Sequence, residues 1–301
     1  MTEQTLKGII TAVVTPLAED GTCDTAKLAE HCVSLLENGV HGISLFGTTG
    51  EGPSFTCGER EAALEAVLKA GVPSAKMLPG TGCASLEDTV RLTRHALAHD
   101  CANVLVMPPF FFKGVGDQGV YRVYAELIER INDPKLRVYI YNFPAVTGVW
   151  IKPVVISQLR EKFGKTIAGV KDSSGDWAYV TTLIRDHPGL AVFSGWEPLL
   201  PQLLAAGGAG NVCGIANIAP RLMRRLYDER PLDPTAPLAA TIGKIVSTVT
   251  ALPVTPAIKA MVAHAQNDPN WRAVRAPLEA LTAKQQSDLA AAVDTITAKK
   301  G

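Results

Sequence analysis

Short runs of apolar residues recur along the first two-thirds of the chain. Eight runs are rich in Val, Ile and Leu, and they occupy residues 8–15, 42–47, 75–80, 103–109, 137–142, 166–171, 190–195 and 210–217. Their apolar residues are continuous rather than alternating, which is typical of strands that are buried on both faces of a sheet. The pattern therefore predicts a parallel sheet.

The segments between these runs have a helical period. Between residues 24 and 38, Leu28, Cys32 and Leu35 fall on one face, and residues 85–98 repeat the pattern. Alternating strands and helices with a repeat of about 20 to 35 residues indicate βαβ units. Eight such units predict an α/β fold of the (β/α)8 TIM barrel type. An open, doubly wound sheet is the alternative, and it is less favoured because no break divides the units into two domains.

The chain after residue 220 is rich in Ala and Leu, contains scattered Pro, and is too long for one barrel helix. We therefore predict a barrel over residues 1–225 and a C-terminal helical extension over residues 226–301 that packs on the outside of the barrel. The total of 301 residues permits this division, because α/β barrels of about 250 residues commonly form one domain.

Composition and charge exclude several classes of protein. The chain has 29 basic and 29 acidic residues, so its formal net charge is zero. Nucleic-acid binders and polybasic membrane-surface proteins need a basic excess, so we expect neither kind of partner. An apolar fraction of 47% is that of an ordinary globular domain, which can bury a large core.

The cysteines and the N-terminal segment point to the cytoplasm. Six cysteines are present without a CxxC pair, so reduced thiols are favoured over a disulfide framework. The first residues lack a basic segment followed by an apolar one, and no apolar run approaches the length of a membrane span. We therefore expect a cytoplasmic protein.

A barrel of this type places its active site at the carboxyl ends of the strands. Lys171 closes the apolar run that begins at residue 166. Burial there would lower the lysine pKa and free a nucleophilic amine that can form a Schiff base with a carbonyl substrate. A lysine that extends to solvent beside Asp172 is the alternative interpretation, and the sequence leaves both open.

Two further segments end at the same edge of the predicted barrel. Tyr141 shares a strand face with Tyr139; if that face is inward, the phenol could relay protons near Lys171, and an ordinary core tyrosine is the alternative. Residues 47–51, GTTGE, form a tight polar turn whose backbone N–H groups could hold a carboxylate. The GxxxxGK[ST] pattern of a phosphate-binding loop is absent from this turn.

Two other groups offer weaker candidates. His95 and His99 are four residues apart on a predicted outer helix. No acidic residue accompanies them in an HExxH pattern, so a solvated face is favoured over a metal site. Residues 110–112 are three consecutive phenylalanines at the catalytic end, where they could line a pocket or a subunit contact.

Together, the motifs GTTGE (residues 47–51), YNFPAVTG (141–148) and GVKDSSGD (169–176) resemble those of the dihydrodipicolinate synthase / N-acetylneuraminate lyase family of class I Schiff-base pyruvate aldolases. The resemblance implies that Lys171 forms an imine with pyruvate or another 2-keto acid. It implies that Thr48 and Thr49 hold the carboxylate, and that Tyr141 is a general acid/base assisted through the Thr49 hydroxyl. It implies no metal and no diffusible cofactor.

Departures from the family pattern bear on the substrate. Val146 stands at the position where dihydrodipicolinate synthases resemble YNxPxRTG, with an arginine that binds the second substrate's carboxylate. Phe111 is aligned with their subunit-contact tyrosine. The chain therefore looks closer to the 2-keto-3-deoxy sugar-acid aldolases, and Ser173, Glu197 and Val212 are further substrate-binding candidates.

The resemblance therefore implies a pyruvate-dependent aldolase or lyase that acts on a 2-keto-3-deoxy sugar acid or a related 2-keto acid. The alternatives are a dihydrodipicolinate synthase, a family dehydratase or deaminase that uses the same imine, and an idle barrel that senses a keto acid. Family members are commonly homotetramers, so we expect a homo-oligomer, either a tetramer or a dimer.

Overall fold

The computed structural model describes residues 5–298, and seven parallel strands form a nearly closed barrel within them. The strands are β1 (Gly8–Ala12), β2 (Gly42–Ser44), β3 (Asn103–Val106), β4 (Arg137–Asn142), β5 (Ile167–Asp172), β6 (Ala191–Ser194) and β7 (Gly210–Cys213). Their spatial order is β2-β1-β7-β6-β5-β4-β3. The first four residues used for the leader prediction and the last three of the predicted extension lie outside the described residues.

The predicted strand at residues 75–80 is present as a bridging segment rather than a regular strand. Met77 forms a parallel bridge with Ile43 in β2, and Gly80 forms one with Leu105 in β3. Pro79 lies between the two bridges and has no N–H to donate to a sheet ladder, which keeps the segment irregular. The segment fills the gap between β2 and β3, so eight backbone segments ring the barrel and the TIM-barrel prediction is confirmed.

Helices connect the strands and cover the barrel. The α-helices are α1 (Thr25–Glu37), α2 (Cys57–Lys69), α3 (Leu86–Ala98), α4 (Asp117–Ile131), α5 (Pro144–Thr147), α6 (Pro153–Phe163), α7 (Trp177–Asp186), α8 (Leu200–Ala205), α9 (Pro220–Glu229), α10 (Pro237–Thr250), α11 (Val254–Gln266) and α12 (Ala283–Ala298). Short 3-10 turns lie at Gly52–Ser54, Ser74–Lys76, Gly164–Thr166, Glu197–Leu199, Ile215–Asn217 and Pro269–Arg272.

Two apolar clusters build the core. The larger one lies between the strands and the surrounding helices. The smaller one fills the inside of the barrel and consists of Leu6, Ile10, Ala12, Leu78, Leu105, Tyr139, Tyr141, Ala168, Ala191, Phe193, Ala209 and Val212. The strands are therefore buried on both faces, which explains their continuous apolar sequences.

The C-terminal helices do more than cover the outside of the barrel. Helix α11 packs against the 3-10 turn Ile215–Asn217, which follows β7 at the carboxyl end of the barrel. The Ile258 side chain of α11 lies so close to Gly214 that a Cβ there would be 2.6 Å from its Cδ1 atom. Helix α9 runs across the predicted division at residues 225 and 226, and that division stays a prediction.

No single helix among residues 5–298 is long and apolar enough to cross a membrane. Helices α10 and α11 reach that length only as a pair, and the pair is bent by 115°.

Candidate active site

Lys171 and Tyr141 lie side by side because of the register between β4 and β5, which pairs these two residues directly. The Lys171 Nζ atom is 4.1 Å from the centroid of the Tyr141 ring. Both residues are buried, with exposed fractions of 5% and 3%. Tyr139 and Tyr141 both belong to the cluster inside the barrel, so the inward face predicted for them is confirmed.

The lysine does not extend to solvent, and it is in no salt bridge with a carboxylate of residues 5–298. The Asp172 carboxylate is held by other groups instead. Asn142 Nδ2 donates to Asp172 Oδ1 at 2.8 Å, and Ser174 Oγ donates to Asp172 Oδ2 at 2.8 Å. The interpretation of Lys171 as a solvent-exposed partner of Asp172 is therefore wrong.

Asn142 and Asp172 fix the ends of β4 and β5 to each other. The sequence places both polar residues at the carboxyl ends of the predicted strands, but it assigned neither of them a role. Asn142 also accepts from the Ile151 backbone N–H at 3.1 Å, which ties the loop after β4 to the strand end. Burial raises the pKa of Asp172, although the hydrogen bonds from Asn142 and Ser174 oppose that shift. A polar residue at the end of an apolar run was the available signal, since both residues follow such runs directly.

Thr48 lies opposite Tyr141 across the barrel mouth. Its Oγ1 atom is 3.3 Å from the Tyr141 hydroxyl oxygen, within hydrogen-bond distance. The Thr49 hydroxyl lies elsewhere, toward Gly214, where a Cβ would be 3.5 Å from Thr49 Oγ1. The expectation that Tyr141 is assisted through the Thr49 hydroxyl is corrected accordingly: Thr48 contacts the phenol, because successive residues of a tight turn point in different directions.

The turn after β2 also presents backbone donors. The Thr48 carbonyl accepts from Glu51 N at 3.1 Å, and the Gly47 carbonyl accepts from Gly52 N at 3.1 Å. Among residues 5–298, no protein group accepts from the N–H of Thr48 or Thr49. Two adjacent N–H groups of this kind suit a carboxylate. Gly50 is required by close packing, since a Cβ there would be 2.7 Å from the Val13 carbonyl oxygen.

A buried ion pair anchors this turn to the C-terminal helices. Lys259 of α11 donates to Glu51 Oε1 at 2.7 Å and to the Thr15 carbonyl at 2.8 Å. The other Glu51 oxygen accepts from the Arg275 backbone N–H at 2.8 Å. Glu51 itself has a left-handed backbone, with φ of 56°. Sequence reasoning missed Lys259, because a partner 208 residues away leaves no local signal.

The further substrate-binding candidates lie around this mouth in different environments. Glu197 is buried, accepts from Ile215 N at 3.1 Å, and has a pKa that burial raises while Lys171 opposes the rise. Ser173 is half-buried, and its Oγ atom lies against Gly195. Val212 belongs to the cluster inside the barrel. Their contacts with a substrate stay predictions.

Val146 and Phe111 lie at the exposed rim of the site. Val146 is in α5, directly after β4, and is 51% exposed, whereas Phe111 is 74% exposed in the loop after β3. Lys113 holds the two segments together by donating to the Thr147 carbonyl at 2.8 Å. Phe111 packs edge-to-face on Phe112 with ring centroids 5.3 Å apart.

Comparisons with known proteins find similarity over nearly the whole chain. The Dihydrodipicolinate synthetase family matches residues 5–296. A DapA-like lyase of Chloroflexus aurantiacus is 34% identical over 294 residues, which cover 97% of this chain and 97% of that protein. The crystal structure of dihydrodipicolinate synthase from Agrobacterium tumefaciens has a TM-score of 0.89 and 33% identity, and the match covers 96% of this chain and 99% of that one. A pyruvate complex of a variant Sulfolobus solfataricus 2-keto-3-deoxygluconate aldolase has a TM-score of 0.86 and 25% identity over 97% of each chain.

Proposed function

Since the chain belongs to the dihydrodipicolinate synthetase family and is a lyase, we propose that it is a Schiff-base pyruvate aldolase. Its substrate would be a 2-keto-3-deoxy sugar acid or a related 2-keto acid. One observation carries the proposal: the Lys171 amine lies 4.1 Å from the Tyr141 ring centroid, and the Tyr141 hydroxyl is 3.3 Å from Thr48 Oγ1.

Imine formation comes first in the proposed reaction. The neutral Lys171 amine attacks the C2 carbonyl carbon of the 2-keto acid and forms a carbinolamine. Tyr141 protonates the departing hydroxyl, so that water leaves and a C=N bond forms. The N–H groups of Thr48 and Thr49 bind the substrate carboxylate, which orients the carbonyl toward the amine.

Carbon–carbon cleavage follows from the imine. A base removes the proton of the C4 hydroxyl, the C3–C4 bond breaks, and its electron pair moves into the imine to give an enamine. In the proposed step Tyr141, whose hydroxyl is 3.3 Å from Thr48 Oγ1, accepts that proton. An aldehyde leaves, Tyr141 returns the proton that it accepted to C3 of the enamine, and water hydrolyses the resulting imine to release pyruvate from Lys171. In the synthetic direction the same steps run in reverse.

The rim of the site supports a sugar-acid substrate. An apolar Val146 offers no positive charge for a second carboxylate, whereas Ser173 and Glu197 offer polar atoms for hydroxyl groups. The 25% identity to the Sulfolobus solfataricus aldolase over 97% of each chain is in line with this substrate class.

Dihydrodipicolinate synthesis is the second candidate. Its support is the higher identity, 33%, to the Agrobacterium tumefaciens dihydrodipicolinate synthase. That reaction condenses pyruvate with aspartate semialdehyde, so it shares the Lys171 imine and differs at the second substrate. A dehydratase or deaminase would also share the imine but would release water or ammonia.

Two measurements test the proposal. Borohydride reduction in the presence of pyruvate should attach a pyruvyl group to Lys171, as detected by peptide mass spectrometry, with Lys171→Ala as the blank. A panel of 2-keto-3-deoxy sugar acids is then assayed for pyruvate release, beside condensation with aspartate semialdehyde. No adduct at Lys171 would overturn the Schiff-base mechanism. Condensation without pyruvate release would favour the synthase instead.

We also propose a cytoplasmic homo-oligomer, either a dimer or a tetramer. The exposed Phe111–Phe112 pair supports the homo-oligomer, because large apolar side chains at a surface favour burial against another chain. Light scattering on the purified chain measures its mass in solution, and a monomer would contradict the proposal.

A further inference from the structure

We propose that Glu65, His95 and His99 form a binding site for one divalent cation of the zinc class on the outer face of the barrel. Glu65 belongs to α2, His95 to α3, and His99 caps the carboxyl end of α3. The inference is independent of the proposed enzymatic function, because these residues are on outer helices and take no part in the Schiff-base site.

The three ligand atoms lie close together. Glu65 Oε1 is 2.8 Å from His95 Nε2 and 3.7 Å from His99 Nε2. All three ligand atoms lie within 4.8 Å of one another, and the two imidazole centroids are 4.6 Å apart. Ligand atoms on a tetrahedral zinc ion would be separated by about 3.4 Å, given bonds of about 2.1 Å. The cation would therefore replace the His95–Glu65 hydrogen bond with only small side-chain shifts.

The structure supplies the acidic ligand that the sequence pattern around the two histidines lacked. Two histidines four residues apart lie on one face of a helix, which is the spacing that lets both bind one ion. The acidic ligand missing from the HExxH comparison comes from the neighbouring helix, 30 residues earlier in the chain. The solvated-face interpretation therefore omitted Glu65. A His2Glu set suits zinc, and exposure leaves a fourth position for water.

The basic side chain one turn before His95 on α3 already has a carboxylate partner. Arg91, one turn before His95, donates two hydrogen bonds to Glu61, both at 2.7 Å. Its guanidinium is thereby paired with a carboxylate on α2. A bound cation would join α2 to α3 by a second bridge beside this one. Metal binding should therefore stabilise the folded chain, since the unfolded chain does not hold the three ligands together.

The experiment is a calorimetric titration of Zn²⁺ into the full chain, purified without a histidine tag and dialysed against a chelator. One Zn²⁺ per chain is expected. His95→Gln and His99→Gln should each weaken binding by at least about tenfold, since losing even an indirect partner of a metal ligand costs about 10- to 100-fold. Glu65→Gln should weaken it too. His264→Gln is the matched control, because His264 is an exposed histidine paired with a single carboxylate, Asp294, and it should bind as the parent does.

Two further measurements distinguish Zn²⁺ binding at this site from binding elsewhere on the chain. Co²⁺ bound at this site should give the absorption of a nitrogen and oxygen ligand set without a thiolate charge-transfer band, which separates it from binding at a cysteine. Zn²⁺ should raise the melting temperature of the parent and of His264→Gln but not of the His95→Gln/His99→Gln double variant. Failure of the parent to bind Zn²⁺, or equal binding by the parent and the double variant, would overturn the proposal.

Discussion

Lys259 and Glu51 form an ion pair in which neither side chain is exposed to solvent, with Nζ and Oε1 2.7 Å apart. The pair joins α11 to the turn that carries Thr48 and Thr49. Burial lowers the pKa of Lys259, and the charge of Glu51 opposes that shift. The geometry of the proposed carboxylate cradle therefore depends on a helix more than 200 residues away in the chain.

Replacing Lys259 with Met should destabilise the protein by about 3–5 kcal/mol, because it leaves the Glu51 carboxylate buried without a counter-charge. Urea unfolding of the parent and the variant measures this loss. Glu51→Gln in the Lys259→Met background should recover part of it by removing the buried charge. Lys284→Met is the control, since its ion pair with Asp288 is exposed and should contribute less than about 1 kcal/mol. A Lys259→Met loss as small as that of Lys284→Met would contradict the assignment of a stabilising buried pair.

Thr48→Val should lower kcat more than Thr49→Val, because of these two threonines only Thr48 has its hydroxyl within hydrogen-bond distance of Tyr141. Both substitutions keep the backbone N–H groups that would hold the carboxylate, so pyruvate binding should change little. Tyr141→Phe should lower kcat by about 10²–10⁴-fold, the usual size of a general acid/base contribution. Steady-state kinetics of pyruvate release on a cleaved 2-keto acid provide the test.

The Tyr141→Phe background makes this test specific. In the Tyr141→Phe variant, adding Thr48→Val should lower kcat little further, because the tyrosine hydroxyl that Thr48 would assist is already absent. Equal kcat losses for Thr48→Val and Thr49→Val in the parent, or additive losses in the double variant, would show that the relay does not run through Thr48.

The fold and the Lys171–Tyr141 pair were predictable because both follow from patterns within short stretches of the sequence. Continuous apolar runs specify strands buried on both faces, and the position of Lys171 at the end of such a run locates it at the barrel mouth. The side-by-side arrangement of Lys171 and Tyr141 then follows from parallel pairing of neighbouring strands.

Other features depend on contacts between distant segments. The choice of Thr48 over Thr49 depends on side-chain directions within a tight turn. Lys259 and Glu65 reach their partners only through helix packing, and neither has a sequence neighbour that reveals its role. The segment 75–80 has the apolar composition of a strand, but it pairs with β2 and with β3 through one isolated bridge each, at Met77 and at Gly80.

His31 should make folding stability fall as pH decreases from 6.5 to about 4. Burial lowers its pKa from 6.5 to about 4. The neutral ring is satisfied on both sides, since Nε2 donates to Asn217 Oδ1 and Nδ1 accepts from Gln266. Between these two pH values the unfolded chain binds a proton that the folded chain does not, so stability changes by about 1.4 kcal/mol per pH unit, reaching about 3 kcal/mol.

Denaturant unfolding across this pH range tests the effect through His31→Gln, which removes the titrating group. The variant should show a shallower loss of stability toward acid than the parent, whereas His264→Gln, at an exposed histidine, should follow the parent. Parallel curves for the parent and His31→Gln would show that another group causes the acid sensitivity.

Gly195→Ala should impair use of the complete substrate while leaving imine formation with pyruvate intact. The new Cβ would lie 2.0 Å from Ser173 Oγ, so the serine side chain must rotate away. Ser173 is the proposed contact for a substrate hydroxyl, whereas no atom of Lys171 or Tyr141 is among the three nearest to that Cβ. We therefore expect a raised KM for the 2-keto-3-deoxy sugar acid and an unchanged yield of the reduced pyruvate adduct at Lys171. Gly58→Ala is the control, because nothing lies within 4 Å of a Cβ there. Equal KM values for Gly195→Ala and Gly58→Ala would remove Ser173 from the substrate-binding residues, because the displaced hydroxyl would then have no effect on binding.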